Sequence, residues 1–188
     1  MRESHSYIGV KLIKGTPMTR GEYNKQRGLD IPKMEDPADD GYFVEYPDGY
    51  VSWCPKVQFE TANYKLNDES GRDRPVINKD DVELFVSEAG ISPITDKSAT
   101  ITLLTITGHE IHHTATCAHA DDYDADIACN IGYAHNMERL SGHLQFMLDW
   151  AINGIENDGL TGPNKEKGTK LKLAGSLVGG IVEKAGKV

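Results

Sequence analysis

Residues 99–117 decide the fold of the second half of this chain and read ATITLLTITGHEIHHTATC. The first eight of them are mainly β-branched. Thr107-Gly108 is a turn signal, after which Ile111, Ala115 and Cys117 recur at even spacing. Two such runs joined by a short glycine-containing turn predict a β-hairpin.

Part of this stretch, His109-Glu110-Ile111-His112-His113, matches the H-E-x-x-H signature of zinc proteases. That signature needs a helix, which brings its two outer histidines to one zinc and supplies the Glu as general base. On a strand, His109 and His113 share a face but lie about 13 Å apart at roughly 3.3 Å per residue. One zinc with ligand bonds of about 2 Å cannot bridge that separation. We therefore predict no metal and no catalytic residue here, and a metal-dependent hydrolase ranks last among the alternatives.

A site that combines these histidines with His119 stays open, although no second cluster of ligands in the sequence supports it. The acidic residues from Asp121 to Asp126 resemble a cation loop only in part, because the Gly and the final Glu of an EF-hand are missing. An acidic cluster at the start of a helix, stabilised by the helix dipole, is the better interpretation.

The composition is that of a soluble globular protein, with 188 residues of which 38% are hydrophobic and 26% charged. That length suits one ordinary domain or two small ones. No apolar run approaches the roughly 20 residues of a membrane span, and the first residues lack the apolar core of a secretory signal. We therefore expect a cytoplasmic protein with no membrane partner.

The three cysteines, Cys54, Cys117 and Cys129, are odd in number and widely spaced. This pattern predicts free, mostly buried thiols rather than disulfides or a metal knuckle. The sequence contains no P-loop, nucleophile elbow or dinucleotide fingerprint. We therefore expect no cofactor.

Charge is distributed unevenly along the chain. Residues 1–64 hold 8 Lys/Arg and 10 Asp/Glu, residues 65–164 hold 6 and 17, and residues 165–188 hold 6 and 2. The middle segment therefore carries a net charge near −11 and would repel a phosphate backbone. The sequence argues against nucleic acid as a partner.

Residues 1–64 predict a mainly β module. The alternation of residues 7–13 predicts a first strand, and Thr19 and Gly28 bracket a short helix as its cap and its stop. Residues 41–46 and 50–53 flank Pro47-Asp48-Gly49, a strong hairpin signal. Pro55 then opens a helix to about Asn63, for which we predict three buried side chains: Val57, Phe59 and Ala62.

Residues 65–75 predict a linker, because they have almost nothing to bury. Residues 76–160 predict an α-β-β-α module, with a helix from Lys79 to Ala89 that Asn78 caps, the hairpin, and a long helix. The predicted buried stripe of the long helix consists of Ile127, Ile131, Ala134, Leu140, Leu144, Leu148, Ala151 and Ile155. Residues 161–188 form a Lys- and Gly-rich tail, and the predicted fold class is α+β.

The length of the second helix predicts a homo-oligomer. About 30 residues at 1.5 Å per residue span some 45 Å, whereas strands of eight residues reach only about 27 Å. We expect the uncovered remainder, including Phe146, Met147 and Trp150, to contact another subunit or the tail.

Two sets of motifs resemble known proteins. Residues 76–148 contain a capped helix of the form INKDDV at 77–82, Leu103 and Thr105 before Gly108, and then Cys117-Ala118, Tyr123-Asp124, Ile127 and Asn136. In these elements the chain resembles a family of small, uncharacterised proteins of tailed phages and prophages. Residues 7–64 contain PMTRGEY at 17–23, GYFVEY at 41–46 and GYVSWCPK at 49–56, and resemble a second module of similar phage proteins.

The resemblance covers roughly three quarters of the chain. This chain departs from it at HEIHH, where the family has an aromatic residue followed by Thr, Val, Thr and Gly, and at Cys54, where a Ser helix cap is usual. The resemblance implies a phage accessory protein in the host cytoplasm, and it carries over no active-site residue.

A binding role is the function that we predict. The first module concentrates aromatic and basic residues that suit a planar, anionic, nucleotide-like ligand, namely Arg20, Arg27, Tyr42, Tyr46, Tyr50, Trp53 and Lys56. Alternating tyrosines on a hairpin also serve as cross-strand packing pairs. In a phage accessory protein such a site implies a non-enzymatic counter-defence factor that sequesters a nucleotide signal. The alternative is an acidic inhibitor that binds a host protein through Asp121–Asp126, Glu83 and Glu88.

Overall fold

Two three-stranded antiparallel sheets and one 29-residue helix organise the protein. The computed structural model describes residues 6–30, 32–67 and 75–154, so the predictions for the tail 161–188 lie outside the described residues. Residues Met1–Ile155 form one compact unit. The α+β class is confirmed. No helix in the described part of the chain is long and apolar enough to cross a membrane.

The first sheet has the strand order β1-β2-β3. Its elements are β1 (Lys14–Pro17), α1 (Arg20–Arg27), β2 (Gly41–Glu45), β3 (Val51–Pro55) and α2 (Lys56–Ala62). The helix α1 begins and ends as predicted, because Thr19 and Glu22 form a reciprocal capping box and Gly28 takes the left-handed conformation at φ 66°. The hairpin between β2 and β3 is also confirmed, with Gly49 at φ 82° in its turn.

Two predictions for this module were wrong. Residues 7–13 are not a strand, since the first strand begins at Lys14, and Tyr7 and Ile8 are 89% and 81% exposed. Their alternation has no neighbouring strand or core to support it. The helix α2 begins at Lys56 with Pro55 as its N-cap, and it leaves Val57 72% exposed.

The second sheet has the strand order β4-β5-β6. The elements of this region are α3 (Lys79–Leu84), β4 (Val86–Thr95), β5 (Ser98–Thr105), β6 (Glu110–Thr116), a 3-10 turn (Ala120–Asp122) and α4 (Ala125–Asn153). The hairpin of β5 and β6 is confirmed, with Gly108 at φ 79° in its turn. The Asn78 cap is confirmed as a capping box with Asp81.

The helix predicted to reach Ala89 ends instead at Leu84, and the sheet gains the strand β4. Val82, Phe85, Val86 and Ala89 fit a helical spacing, but from Val86 onward the backbone pairs with β5. Gly90 and Pro93 also disfavour a helix here. The order of elements is therefore α-β-β-β-α.

The core of the second sheet lies between its inner face and the two helices. It consists of Val82, Phe85, Leu103, Ile111, Leu140 and Leu144. The predicted stripe on α4 was right at Leu140, Leu144 and Leu148 but wrong at Ile127 and Ile131, which are 59% and 46% exposed. Their places in the core are taken by Ala128, Gly132 and Asn136. The predicted stripe was also wrong at Ala134, which is exposed, while Ala151 is half-buried and Ile155 lies outside the described residues.

Small residues let α4 lie close to β5. A Cβ atom added to Gly132 would lie 2.6 Å from the Ile101 side chain. One turn later, buried Asn136 donates its amide N–H to the Ile101 carbonyl at 2.9 Å. The close approach of α4 to β5 therefore requires glycine at position 132, and Asn136 supplies a hydrogen-bond donor to the Ile101 carbonyl.

Tyr64, the last residue of the predicted first module, and Asn67, in the predicted linker, both contact α3. Tyr64 donates its hydroxyl to the Asp81 carbonyl at 2.9 Å, and its ring meets Phe85 edge-on at 5.0 Å. Burial, with the charge of Asp81 second, raises the pKa of Tyr64 above its ordinary value. The Asn67 backbone N–H donates to the Asp81 carboxylate at 2.8 Å. The domain boundaries stay a prediction.

Candidate functional site

The residues predicted to bind a ligand lie on both faces of the first sheet. Tyr42 is opposite Cys54 in the β2–β3 register, and Phe43 is opposite Trp53. Since neighbouring residues of a strand point to opposite faces, Tyr42 and Trp53 cannot line the same surface.

Arg20 and Trp53 contact each other on one of these faces. The Arg20 guanidinium binds both oxygens of the Glu35 carboxylate, at 2.5 and 2.9 Å, and lies 5.0 Å from the Trp53 ring centre. The Trp53 indole N–H donates to the Met18 carbonyl at 2.9 Å. The positive charge of Arg20 is therefore already paired with a carboxylate.

Tyr42 belongs to the opposite face. Its ring stacks on Phe59 with centroids 4.1 Å apart, and its hydroxyl donates to Glu60 at 2.8 Å. This hydrogen bond raises the pKa of Tyr42 above its ordinary value. Tyr42 and Lys56 line an open cleft of about 360 Å³, but Glu22 and Asp40 line it too. Two carboxylates in the cleft oppose an anionic ligand.

The tip of the β2–β3 hairpin carries the third group. Tyr46 and Tyr50 lie 5.5 Å apart with tilted rings, and Tyr50 is 63% exposed. Lys11, which was not among the predicted ligand-binding residues, places its ammonium 5.3 Å from the centre of the Tyr46 ring. Arg27 stands apart in the last turn of α1, where a cation favours the helix dipole. We call Lys11, Tyr46 and Tyr50 the hairpin tip.

The seven residues thus form three separate groups with Arg27 apart. Of these groups, the hairpin tip alone combines a mostly exposed aromatic ring with a nearby lysine over an aromatic face.

The HEIHH segment lies on β6 after His109, as the strand prediction required. Each outer histidine faces a different histidine of α4: His113 stacks on His135 at 4.5 Å, and His109 lies 6.1 Å from His143. Within residues 6–30, 32–67 and 75–154, no group of three or more His, Cys, Asp or Glu side chains is placed to hold a metal ion.

The histidines of α4 were not predicted as part of any site. His135, Arg139 and His143 recur every four residues, which places them in one row along the helix. Arg139 donates to the His112 carbonyl at 2.8 Å, and the His112 ring lies 3.0 Å from the Thr102 hydroxyl and 3.2 Å from Glu110. This row covers the outer edge of β6.

The acidic start of α4 is a helix cap. The Asp124 carboxylate accepts the backbone N–H groups of Asp126 at 2.8 Å and Ile127 at 3.0 Å. The structural interpretation of this cluster is therefore confirmed.

Large apolar side chains are exposed on the three segments that meet at one end of the second sheet. The Ile106 backbone N–H donates to the Phe85 carbonyl at 3.0 Å, and His109 faces His143, so the end of α3, the β5–β6 turn and the last turns of α4 lie together. We call the exposed residues here the apolar end: Leu84 at 61%, Ile106 at 52%, Phe146 at 66% and Met147 at 46%. Phe146 also lies 6.3 Å from the ring of Trp150.

Comparisons of the chain with known proteins found no relative. No protein-family model matches the chain, and no curated protein or solved structure is significantly similar to it.

Proposed function

We propose that the protein acts stoichiometrically, by binding a partner protein through its apolar end. The observation that carries this proposal is the set of large apolar side chains, each about half exposed or more, at a single end of the second sheet. Single exposed apolar residues are common on protein surfaces, but a collection of them in one place marks an interaction site.

The surroundings of the apolar end favour a basic partner. Asp149 follows Phe146 and Met147 within the same turn of α4. Glu83, next to Leu84 in the chain, forms an exposed ion pair with Lys79 at 3.2 Å, which is weak enough for a basic partner to compete with it. Carboxylates around an apolar centre select a partner with positive charges at matching positions and accelerate its association. Phe146 supplies the kind of aromatic anchor that dominates binding energies.

The resemblance to phage proteins supports a host protein as the partner. A small phage protein that binds such a target without turning it over would act as an inhibitor or counter-defence factor.

Co-purification from phage-infected cells tests the proposal. The variant Phe146→Asp/Met147→Asp should lose the partner that the unmodified chain retains. The matched control is Ile127→Asp/Ile131→Asp, because these residues are on the same helix with exposures of 59% and 46%, against 66% and 46% at the apolar end. Retention of the partner by the Phe146→Asp/Met147→Asp variant would refute the proposed contact.

The hairpin tip supports a second candidate, the sequestration of a small, anionic, nucleotide-like ligand. Stacking of one base on Tyr50 contributes roughly 1 to 3 kcal/mol, and a charge-assisted contact from Lys11 about 1.5 to 3 kcal/mol. Their sum of roughly 2.5 to 6 kcal/mol, before ordering costs, corresponds to a dissociation constant between about ten millimolar and tens of micromolar. The weak predicted affinity places this function second.

Calorimetry against cyclic dinucleotides, cyclic trinucleotides and ADP-ribose derivatives tests the second candidate. Binding should disappear in Tyr50→Ala and persist in Phe146→Asp/Met147→Asp. The two functions are therefore separated by variants in two different elements, the β2–β3 hairpin and α4. If no compound in the panel binds, the second candidate is wrong.

A further inference from the structure

The two edges of the second sheet differ in how they are covered. Strand β6 is an edge strand, and α4 covers it through the hydrogen bond from Arg139 to the His112 carbonyl at 2.8 Å. Strand β4 is the opposite edge, and its outer side has no backbone partner among the described residues. Every residue of β4 after Val86 is exposed. A long open edge is a template for another strand.

The contact at β6 fixes which residues of β4 point outward. Arg139 reaches the His112 carbonyl from outside the sheet, so the backbone groups of His112 point away from β5. His112 is opposite Thr102, and Thr102 is opposite Gly90. Residue pairs along antiparallel strands alternate between pairs that exchange backbone hydrogen bonds and pairs that do not. Since His112 and Thr102 do not exchange them, the backbone groups of Thr102 point to β4, and Thr102 and Gly90 do exchange hydrogen bonds. The neighbours of Gly90, which are Ala89 and Ile91, therefore turn their N–H and C=O groups to the open edge.

We propose that two copies of this chain pair through β4, antiparallel and with Gly90 opposite Gly90 of the second copy. This register places Ala89 opposite the partner's Ile91, so both outward-facing residues of each chain exchange hydrogen bonds. It also joins two three-stranded sheets into one of six strands.

The neighbouring registers are worse. In the register that places Ile91 opposite Ile91 of the second copy, Ala89 lies opposite Pro93, which has no N–H to donate. In the register that places Ala89 opposite Ala89 of the second copy, Ile91 lies opposite Ser87, at the bulge between Val86 and Glu88. Irregularities at Val86/Glu88 and Pro93/Thr95 thus limit the open segment to the part around Gly90.

Charge and space agree with this register. Glu88 is the one charged residue of β4, and it faces Ser92 of the second copy instead of another carboxylate. A Cβ atom at Gly90 would meet nothing within 4 Å, so the strands have room to approach at the symmetry axis.

The surface beside β4 supplies the remaining apolar contact. Ile91 is 40% exposed and shares the inner side of the sheet with Ile101, its partner in β5. A groove of about 540 Å³ between α3 and α4 is lined in part by Val82, Tyr133 and Met137. Tyr133 and Met137 lie on the flank of α4 away from the row that covers β6. Since a strand pair alone buries less than the roughly 800 Å² per partner of a stable interface, these groove residues are expected to contribute.

Sedimentation equilibrium of the full chain is the first test. The expected mass is twice 20.7 kDa. Ile91→Lys should give a monomer because it places charges on the shared edge, whereas Ile131→Lys, on exposed α4 surface, should leave the dimer intact. A monomeric unmodified chain overturns the proposal.

Disulfide cross-linking tests the register. In a background with Cys54, Cys117 and Cys129 changed to Ser, oxidation should link most of a Gly90→Cys variant into dimers, because facing Cα atoms of this pair type lie about 4.5 Å apart. Ser92→Cys is the matched control on the same face, where the two equivalent positions lie roughly 13 Å apart. A mixture of Glu88→Cys and Ser92→Cys chains should cross-link to each other. A dimer that links equally through Ser92→Cys, or not at all through Gly90→Cys, overturns this pairing.

Discussion

The closeness of α4 to β5 predicts opposite effects for two glycine-to-alanine substitutions in the same helix. Gly132 faces Ile101, where an added Cβ atom would lie 2.6 Å from the side chain, and Ile101 is only 1% exposed. Gly142 has nothing within 4 Å of an added Cβ atom. Both substitutions gain the same helix propensity, so they differ in packing alone.

The expected magnitudes follow from these surroundings. Replacing Gly with Ala inside a helix stabilises the protein by about 0.8 to 1 kcal/mol, and Gly142→Ala should show this gain in full. Overpacking a core costs typically about 1 to 3 kcal/mol. Gly132→Ala should therefore be less stable than Gly142→Ala by about 1 to 3 kcal/mol. Ile101→Val should recover part of this cost in the double variant, because it removes the methyl group at 2.6 Å.

Urea unfolding followed by circular dichroism measures each free energy of unfolding at one protein concentration. If Gly132→Ala stabilises the protein as much as Gly142→Ala does, α4 does not cross β5 as closely as described. If Ile101→Val gives no coupling with Gly132→Ala, the terminal methyl group of Ile101 does not cause the cost of the added Cβ atom.

Three further predictions concern two helix caps and a stacked pair of histidines. Asn78→Ala removes both the acceptor of the Asp81 N–H at 2.9 Å and the donor to the Asn67 carbonyl at 2.7 Å, and should lower the free energy of unfolding by about 0.5 to 2 kcal/mol; Asn78→Asp keeps the acceptor alone and should recover only part of this loss in the same urea experiment. The hydrogen bond from the Thr19 backbone N–H lowers the pKa of Glu22. The stabilisation of the folded protein by this bond is therefore fully present above the pKa of Glu22 in the unfolded chain, and it is lost as the pH falls through the pKa in the folded protein. An NMR titration of Glu22 that shows an ordinary or raised pKa would contradict this. His135→Ala removes the ring that stacks on His113 at 4.5 Å, so hydrogen exchange of β6 should be faster in this variant than in the unmodified chain. Equal exchange rates in the two proteins would contradict this.

Local signals made part of this fold predictable. The hairpin of residues 99–117 depends on β-branched strands and a glycine turn, and the bounds of α1 depend on Thr19 and Gly28, all of which act within a few residues. Strand β4 was missed because Val82, Phe85, Val86 and Ala89 have a spacing that suits a helix. Pairing with β5, which is distant in the sequence, overrides that spacing.

In the candidate site, too, the residue types were predictable from the sequence, whereas the contacts between distant residues were not. Composition identified the aromatic residues of the first sheet, but the register places Tyr42 and Trp53 on opposite faces. The partner of Arg20 is Glu35, fifteen residues further along and outside any regular element. The pairing of His135 and His143 with β6 depends on how a helix lies over a strand, which no local pattern specifies.

Photo-cross-linking at position 146 tests the proposed function most directly. A photoreactive phenylalanine analogue placed at Phe146 should, in phage-infected cells, form a covalent adduct with one partner protein. The same analogue at Ile127, which is 59% exposed on the same helix, should form none. An absence of adducts at position 146, or equal adducts at both positions, would contradict the account that the apolar end binds a partner protein.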